Sequence, residues 1–225
     1  MAKRTKQKRQ AANRETNWLL IGGVIAVGVI ALFALLFLSL QGPEKITLLG
    51  YCEDNPDRCV TRGNKDSDVV VVEVSDYGCS HCRDFHAETL PLLKQQYIDT
   101  DEIYWVVMPY ALSATTLPAS NAAMCANEQG AFFEYSDALF EQQSDATLAL
   151  TRAGFEQAAE SLGLDMDAFS QCLSDGRYNS VVSENADTAR SAGVSATPTF
   201  FLNDDMLEGA YPFAIFQQRL DALLN

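Results

Sequence analysis

The chain of 225 residues carries 30 acidic against 16 basic residues, a formal net charge of −14. Residues 41–225 hold 29 of those acids and 10 of the basic residues, a balance of −19. Such a charge repels phosphate backbones and anionic lipid surfaces, which argues against a nucleic-acid binder or a peripheral membrane binder.

The chain opens with a basic tail, residues 1–17, containing Lys3, Arg4, Lys6, Lys8, Arg9 and Arg14. Trp18–Leu40 follows, uncharged and almost wholly apolar. As a helix it reaches about 34 Å, enough for a hydrocarbon core of about 30 Å. Positive charge before a span marks the cytoplasmic side, so an anchor with the acidic remainder facing outward is expected. A cleavable signal peptide has a shorter apolar region and a small-residue exit, unlike Leu38 to Pro43 here.

Residues 41–66 read as a juxtamembrane linker with a short strand at Lys45–Leu49. In it, Cys52 and Cys59 flank the turn-rich Glu53-Asp54-Asn55-Pro56-Asp57-Arg58. Residues 68–76 are a near-continuous valine run, the pattern of a strand buried on both faces. Tyr77-Gly78 is a turn, Cys79-Ser80-His81-Cys82 follows, and Arg83 to Tyr97 forms an amphipathic helix. Glu102 to Tyr110 is a second buried strand. Helices are expected over Ala119–Gln129, Ala131–Gln142, Thr151–Leu162, Met166–Leu173 and Tyr178–Ala192, broken at Gly130, Ser144-Asp145, Gly163 and Gly176. Thr199–Asn203 and Met206–Gly209 are strands around an Asp204-Asp205 turn. A closing helix over Phe213–Leu224 starts after Pro212. This order predicts an α/β fold, a mixed sheet covered by helices with a helical insertion.

The chemistry is concentrated in the two cysteines spaced by two residues. A thiolate at a helix start gains a lowered pKa and becomes a nucleophile, and its partner closes a disulfide. A structural zinc site needs two further ligands at short spacing, and the other cysteines form no such pair. A c-type haem attachment needs His after the second cysteine, where Arg83 stands. Six cysteines permit fifteen pairings. With Cys79–Cys82 as the redox pair, Cys52–Cys59 closes a small loop and Cys125–Cys172 remains as a long-range staple. The acids between Cys52 and Cys59 lack the spacing of a calcium loop. No metal or organic cofactor is required, because the cysteines carry the electrons.

Three motifs occur in order: Ser75 to Cys82 with Phe85-His86, Ala122 to Gly130, and Gly193 to Phe201. On these the chain resembles the DsbA-like thioredoxin family of extracytoplasmic thiol–disulfide oxidoreductases, over roughly residues 63–225, and most of all its membrane-anchored bacterial members. One departure is Ser80, where the family often has proline; it bears on redox poise more than on fold. The resemblance implies a thioredoxin-like domain in two parts, 67–116 and 187–225, around a helical insertion, 117–186.

The resemblance also assigns roles. Cys79 forms mixed disulfides with substrates and Cys82 resolves them. His81 stabilises the Cys79 thiolate as donor or cation. Thr197-Pro198 carries the cis-proline position that faces the active pair and binds peptide backbone. Glu73 lies beneath the second cysteine and exchanges a proton with it. His86 reads as a satisfied helix residue, and Phe132, Phe133, Tyr135 and Phe140 as core of the insertion. The function expected is disulfide donation to exported cysteine-containing proteins at the cell membrane, with reoxidation by a quinone-linked partner of the DsbB or vitamin K epoxide reductase-like kind. The alternatives are a reductase or isomerase of the same fold, decided by reduction potential, and an anchored peptide-binding chaperone with a structural Cys79–Cys82 bond, decided by whether Cys79→Ala retains activity.

Overall fold

The computed structural model describes residues 18–40, with side chains over 21–37, together with 47–203 and 205–225. The basic tail 1–17, the first part of the expected linker (41–46) and the turn residue Asp204 lie outside the described residues. The chain divides into two compact units, Met1–Glu44 and Lys45–Asn225. The first holds helix α1, Trp18–Leu40. Among the described residues no helix is long and apolar enough to cross a membrane, the described side chains of α1 being confined to 21–37.

In the second unit the elements are α2 (Leu48–Asp54), β1 (Val60–Gly63), β2 (Val70–Val74), α3 (Ser80–Glu88), α4 (Leu90–Leu93), a π-helical turn (Lys94–Ile98) and β3 (Tyr104–Val107). There follow α5 (Leu117–Asn127), α6 (Phe132–Gln142), α7 (Arg152–Ser161), α8 (Met166–Asp175), α9 (Asn179–Ser191), β4 (Thr199–Leu202), β5 (Asp205–Glu208) and α10 (Phe213–Leu224). The strands form one mixed sheet in the order β1-β3-β2-β4-β5. Central β2 runs parallel to β3 and antiparallel to β4, with Glu73 opposite Val107 on one side and Phe200 on the other.

Both faces of the sheet are covered, which explains the valine run. Val71, Trp105, Phe200 and Leu202 pack under Phe85, Leu93, Phe216 and Leu220 of α3, α4 and α10. Val72, Val74 and Val106 pack under Leu48 and Cys52 of α2 and Ala186 and Ala189 of α9. The helical block α5–α8 has its own core around Phe132, Tyr135, Phe155 and Phe169. The helix expected over 83–97 is broken at Thr89, because Pro91 at the start of α4 has no N–H for the carbonyl one turn back.

From Thr47 onward the expected linker packs onto the sheet, burying Leu48 and Cys52. There Leu48 and Leu49 are helical, not extended, with the Thr47 side chain accepting from Gly50 N–H at 3.1 Å as an N-cap. β1, unanticipated, becomes an edge strand against β3. α9 bridges the two parts, burying Ala186 and Ala189 on the sheet while it packs against α5 of the helical block.

Two disulfides are formed. Cys52–Cys59 ties α2 to the start of β1, with Cα atoms 5.6 Å apart. Cys125–Cys172 joins α5 to α8, with Cα atoms 5.8 Å apart. Asn185 on α9 secures the smaller loop. It accepts from the Tyr51 hydroxyl at 3.0 Å and donates to the carbonyls of Arg58 (2.9 Å) and Pro109 (3.0 Å).

Candidate active site

Beyond β2 the chain turns through Asp76, whose buried carboxylate accepts from Gly78 N–H at 2.8 Å and Leu112 N–H at 2.7 Å. A Cβ on Gly78 would stand 2.6 Å from Thr116 Cγ2, so only glycine lets the loop approach the helical block this closely. Gln143 Nε2 holds the loop from the other side, donating to the carbonyls of Tyr77 (2.7 Å) and Cys79 (3.1 Å).

This loop delivers Cys79 as the N-cap residue of α3, with extended backbone angles of −85° and 120°. Cys79 is partly exposed and Cys82, one turn further in, is fully buried. The Cys79 pKa is lowered to about 5: Cys82 donates a hydrogen bond to its sulfur, and with Thr197 and the main-chain N–H groups of Cys82 and His81 this outweighs burial. The Cys82 thiol is pushed strongly up, by burial first and by its bond to Cys79 second. Cys82 Sγ accepts from Asp76 N–H at 3.4 Å. The pair is thus an accessible thiolate beside a buried thiol.

Thr197–Pro198 is a cis peptide, and Cys79 Sγ lies 3.3 Å from the Thr197 carbonyl. The residue before the expected proline and the expected nucleophile therefore meet across 118 residues of sequence. The His81 side chain is exposed; its main-chain N–H adds to the stabilisation of the Cys79 thiolate, a helix-start effect open to any residue but proline.

Glu73 is buried, as the strand alternation that aligns it with Val71 requires. Its described hydrogen bonds are not to Cys82. Oε1 accepts from Ser75 Oγ at 2.5 Å and pairs with His86 Nε2 at 2.8 Å, while Oε2 accepts from Trp105 Nε1 at 3.1 Å. Burial alone would raise the Glu73 carboxyl; His86, Ser75 and Arg62 together outweigh it and hold the pKa below its ordinary value. Burial likewise opposes charge on His86, and Glu73 and Asp137 outweigh it and raise that imidazole. Sequence reasoning left His86 as a plain helix residue. The signal that marks it is its place four residues after Cys82, on the same face of α3. Gln143, Asp76 and Trp105 also escaped, since nothing in their local sequence relates them to the cysteines. Cys52–Cys59 lies beneath the other sheet face, and Cys125–Cys172 lies in the helical block, whose core also takes in Tyr77 and Cys82.

Comparison with known proteins agrees with this geometry. The thioredoxin family model matches residues 55–222. The chain belongs to the thioredoxin family, and its fold is DsbA-like. It is 31% identical over 143 residues to a putative protein-disulfide oxidoreductase of Rickettsia bellii, covering 63% of this chain and 55% of that protein. It is also 34% identical over 165 residues to the Na(+)/H(+) antiporter NhaA 3 of Salinispora tropica, covering 70% of this chain but only 23% of the antiporter. The chain thus spans about half the length of the first and under a quarter of the second. Among solved structures, α-DsbA1 of Wolbachia pipientis superposes with a TM-score of 0.65 at 25% identity, covering 73% of this chain and 89% of that one. Oxidised BdbD of Bacillus subtilis gives 0.66 at 21% identity, covering 73% and 91%.

Proposed function

We propose that this protein is a thiol:disulfide oxidoreductase that donates its Cys79–Cys82 disulfide to exported proteins. One observation carries the reading: a partly exposed Cys79 at the start of α3, its pKa lowered to about 5, beside a buried Cys82 and the cis Thr197–Pro198. A stabilised thiolate favours the reduced protein, so its disulfide is a strong oxidant.

A substrate thiolate attacks Cys79, the exposed sulfur, and the bond to Cys82 breaks. A second substrate thiol then attacks the mixed disulfide, releasing oxidised substrate and the Cys79 thiolate. The Thr197 carbonyl beside Cys79 suits the docking of a substrate's main-chain N–H.

The reading extends to location and partner. Helix α1 exposes apolar side chains such as Val24, Val27, Ile30, Phe33 and Phe37, and the basic residues before it suit a cytoplasmic tail. We infer from these a single-pass anchor holding the catalytic domain on the outer side of the cell membrane, with reoxidation by a membrane quinone-linked enzyme of the DsbB or vitamin K epoxide reductase-like kind.

Mixing the oxidised protein with a reduced, unfolded model substrate tests the reaction. One disulfide should pass to the substrate per protein. Cys79→Ala should be inactive, and Cys82→Ala should accumulate a mixed disulfide. Full activity of Cys79→Ala would reject the redox reading in favour of a chaperone.

A further inference from the structure

When the Cys79–Cys82 bond is broken by a substrate, Cys82 leaves as a sulfur anion in a fully buried position. Such a site does not tolerate the charge, so the leaving sulfur must take a proton at once. The overall step balances as follows. Two substrate thiols lose two electrons and two protons and form one disulfide. The protein's S–S bond takes the electrons, one proton ends on Cys82, and the other is released to solvent because Cys79 stays a thiolate. The proton bound for Cys82 needs a source inside the protein.

We propose that His86 is the residue that supplies it, relaying protons from an open groove on the protein surface toward Cys82, one helical turn earlier on α3, while the buried Glu73 carboxylate holds its imidazole in place. The inference rests on the oxidoreductase reading above. It departs from the sequence-based expectation that Glu73 itself exchanges the proton.

The geometry has three parts. First, His86 follows Cys82 by four residues on α3, so their Cβ atoms lie about 5–6 Å apart on one helix face. Second, the imidazole joins an inner to an outer carboxylate. Nε2 stands 2.8 Å from Glu73 Oε1, and Nδ1 stands 3.5 Å from Asp137 Oδ1, whose side chain is half-exposed. Nδ1 is buried and makes no hydrogen bond among the described residues, so it is a free position for a bridging water or for Asp137 after a small shift. Third, His86 lines both spaces that meet here. Inside is a cavity of about 20 Å³ shared with Arg62, Glu73, Ser75 and Tyr77, room for about one water. Outside is a groove of about 730 Å³ between α3–α4 and α6.

The charges around His86 favour a proton there. From β2 comes Glu73, from β1 Arg62, and from α6 Asp137. The groove adds Glu141 of α6, Arg83 of α3, Lys94 of the π-helical turn and Asp99 just after it. Within the cavity, Glu73 and Asp137 balance Arg62 and a protonated His86; without that proton one negative charge is unmatched. Glu73, held as an anion by these partners, is a poor base for cycling protons, whereas His86 has one ring nitrogen toward the anion and the other toward the groove. The two groups titrate as a coupled pair.

Trp105 supplies a built-in reporter, since its indole donates to Glu73 Oε2 at 3.1 Å. The chain has two tryptophans, so the full-length Trp18→Phe protein reads Trp105 alone. Its emission against pH should show one transition above the ordinary histidine value. Asp137→Asn should move that transition to lower pH, and His86→Gln should remove it. In stopped-flow reduction of the Cys79–Cys82 bond by a dithiol peptide, the rate ratio of parent to His86→Gln should fall as pH rises through the same transition. Thiolate absorbance should show the Cys79 titration unmoved. A transition that persists in His86→Gln, or a rate ratio independent of pH, overturns the relay. Should His86→Gln fail to fold, Asp137→Asn decides: a common downward shift in emission and rate upholds the relay, and no shift rejects it. A reduction potential as negative as that of thioredoxin would remove the disulfide-donor reading while leaving this titration intact, so the two failures are distinguishable.

Discussion

Gln143, at the end of α6, donates through Nε2 to the carbonyl of Cys79 at 3.1 Å, fastening the helical block to the residue that begins α3. The same nitrogen donates to the Tyr77 carbonyl at 2.7 Å. The loop that presents the nucleophile is therefore held by the sheet through Asp76 and by the helices through Gln143.

Gln143→Ala should loosen that loop without disturbing the cores on the two sheet faces. Removing two hydrogen bonds at a partly exposed position costs about 1–2 kcal/mol. Urea unfolding reads the loss, and amide hydrogen exchange at Gly78 and Cys79 should quicken while exchange in β2 stays slow.

The two structural disulfides should differ in worth. The Cys125–Cys172 bond spans a sequence separation of 47 and the Cys52–Cys59 bond one of 7. Unfolded-chain entropy assigns them about 4 and about 2.5 kcal/mol. Thermal unfolding of Cys125→Ala/Cys172→Ala and of Cys52→Ala/Cys59→Ala should rank them in that order. The reverse order would show that the anchoring of α2 through Asn185 outweighs loop length.

Much of this architecture was legible because its signals are local. The valine run of β2, the helix start after Gly78 and the breaks at Gly130, Gly163 and Gly176 each follow from short stretches of sequence. β1 was not legible, because Val60-Thr61-Arg62-Gly63 alternates too briefly to show a strand period and becomes one only by pairing with β3. At the site, Cys79, Cys82 and Pro198 stood out by motif. The partner of Glu73 did not, because His86 reaches it only when α3 lies across β2. Part of what stabilises the Cys79 thiolate is the main chain of α3 at His81 and Cys82, which no side-chain reading reveals.

The Glu73–His86 pair should leave a two-sided signature in stability. Glu73 has a lowered pKa, so its contribution is present above its unfolded value of 4.5 and is lost as pH falls through the folded one. His86 has a raised pKa, so its contribution is present below its unfolded value of 6.5 and is lost as pH rises through the folded one. The stability of the parent over Glu73→Gln should therefore be greatest between about pH 4.5 and 6.5 and decline on both sides. Glu73→Ala, which strips His86, Ser75 and Trp105 of a buried partner, should cost about 3–5 kcal/mol. Urea titrations across pH check both.

For the reduced protein the sign at Cys79 is that of a lowered group. Its thiolate stabilises the fold fully above the ordinary thiol range, and the benefit shrinks as pH falls and is gone below about 5. Reduced parent compared with Cys79→Ser should follow that course, while the oxidised protein, with no thiolate, should show none of it. His81→Ala should leave the titration of Cys79 almost unchanged, since the main-chain N–H at position 81 remains.

The equilibrium of the Cys79–Cys82 pair with a glutathione buffer at pH 7 distinguishes a disulfide donor from a reductase. A disulfide donor built on a Cys79 thiolate of pKa about 5 should show a potential less negative than about −200 mV, on the oxidising side toward the values of protein disulfide isomerase and DsbA. A potential near thioredoxin's, about −270 mV, would rule out a disulfide donor and make the protein a reductase.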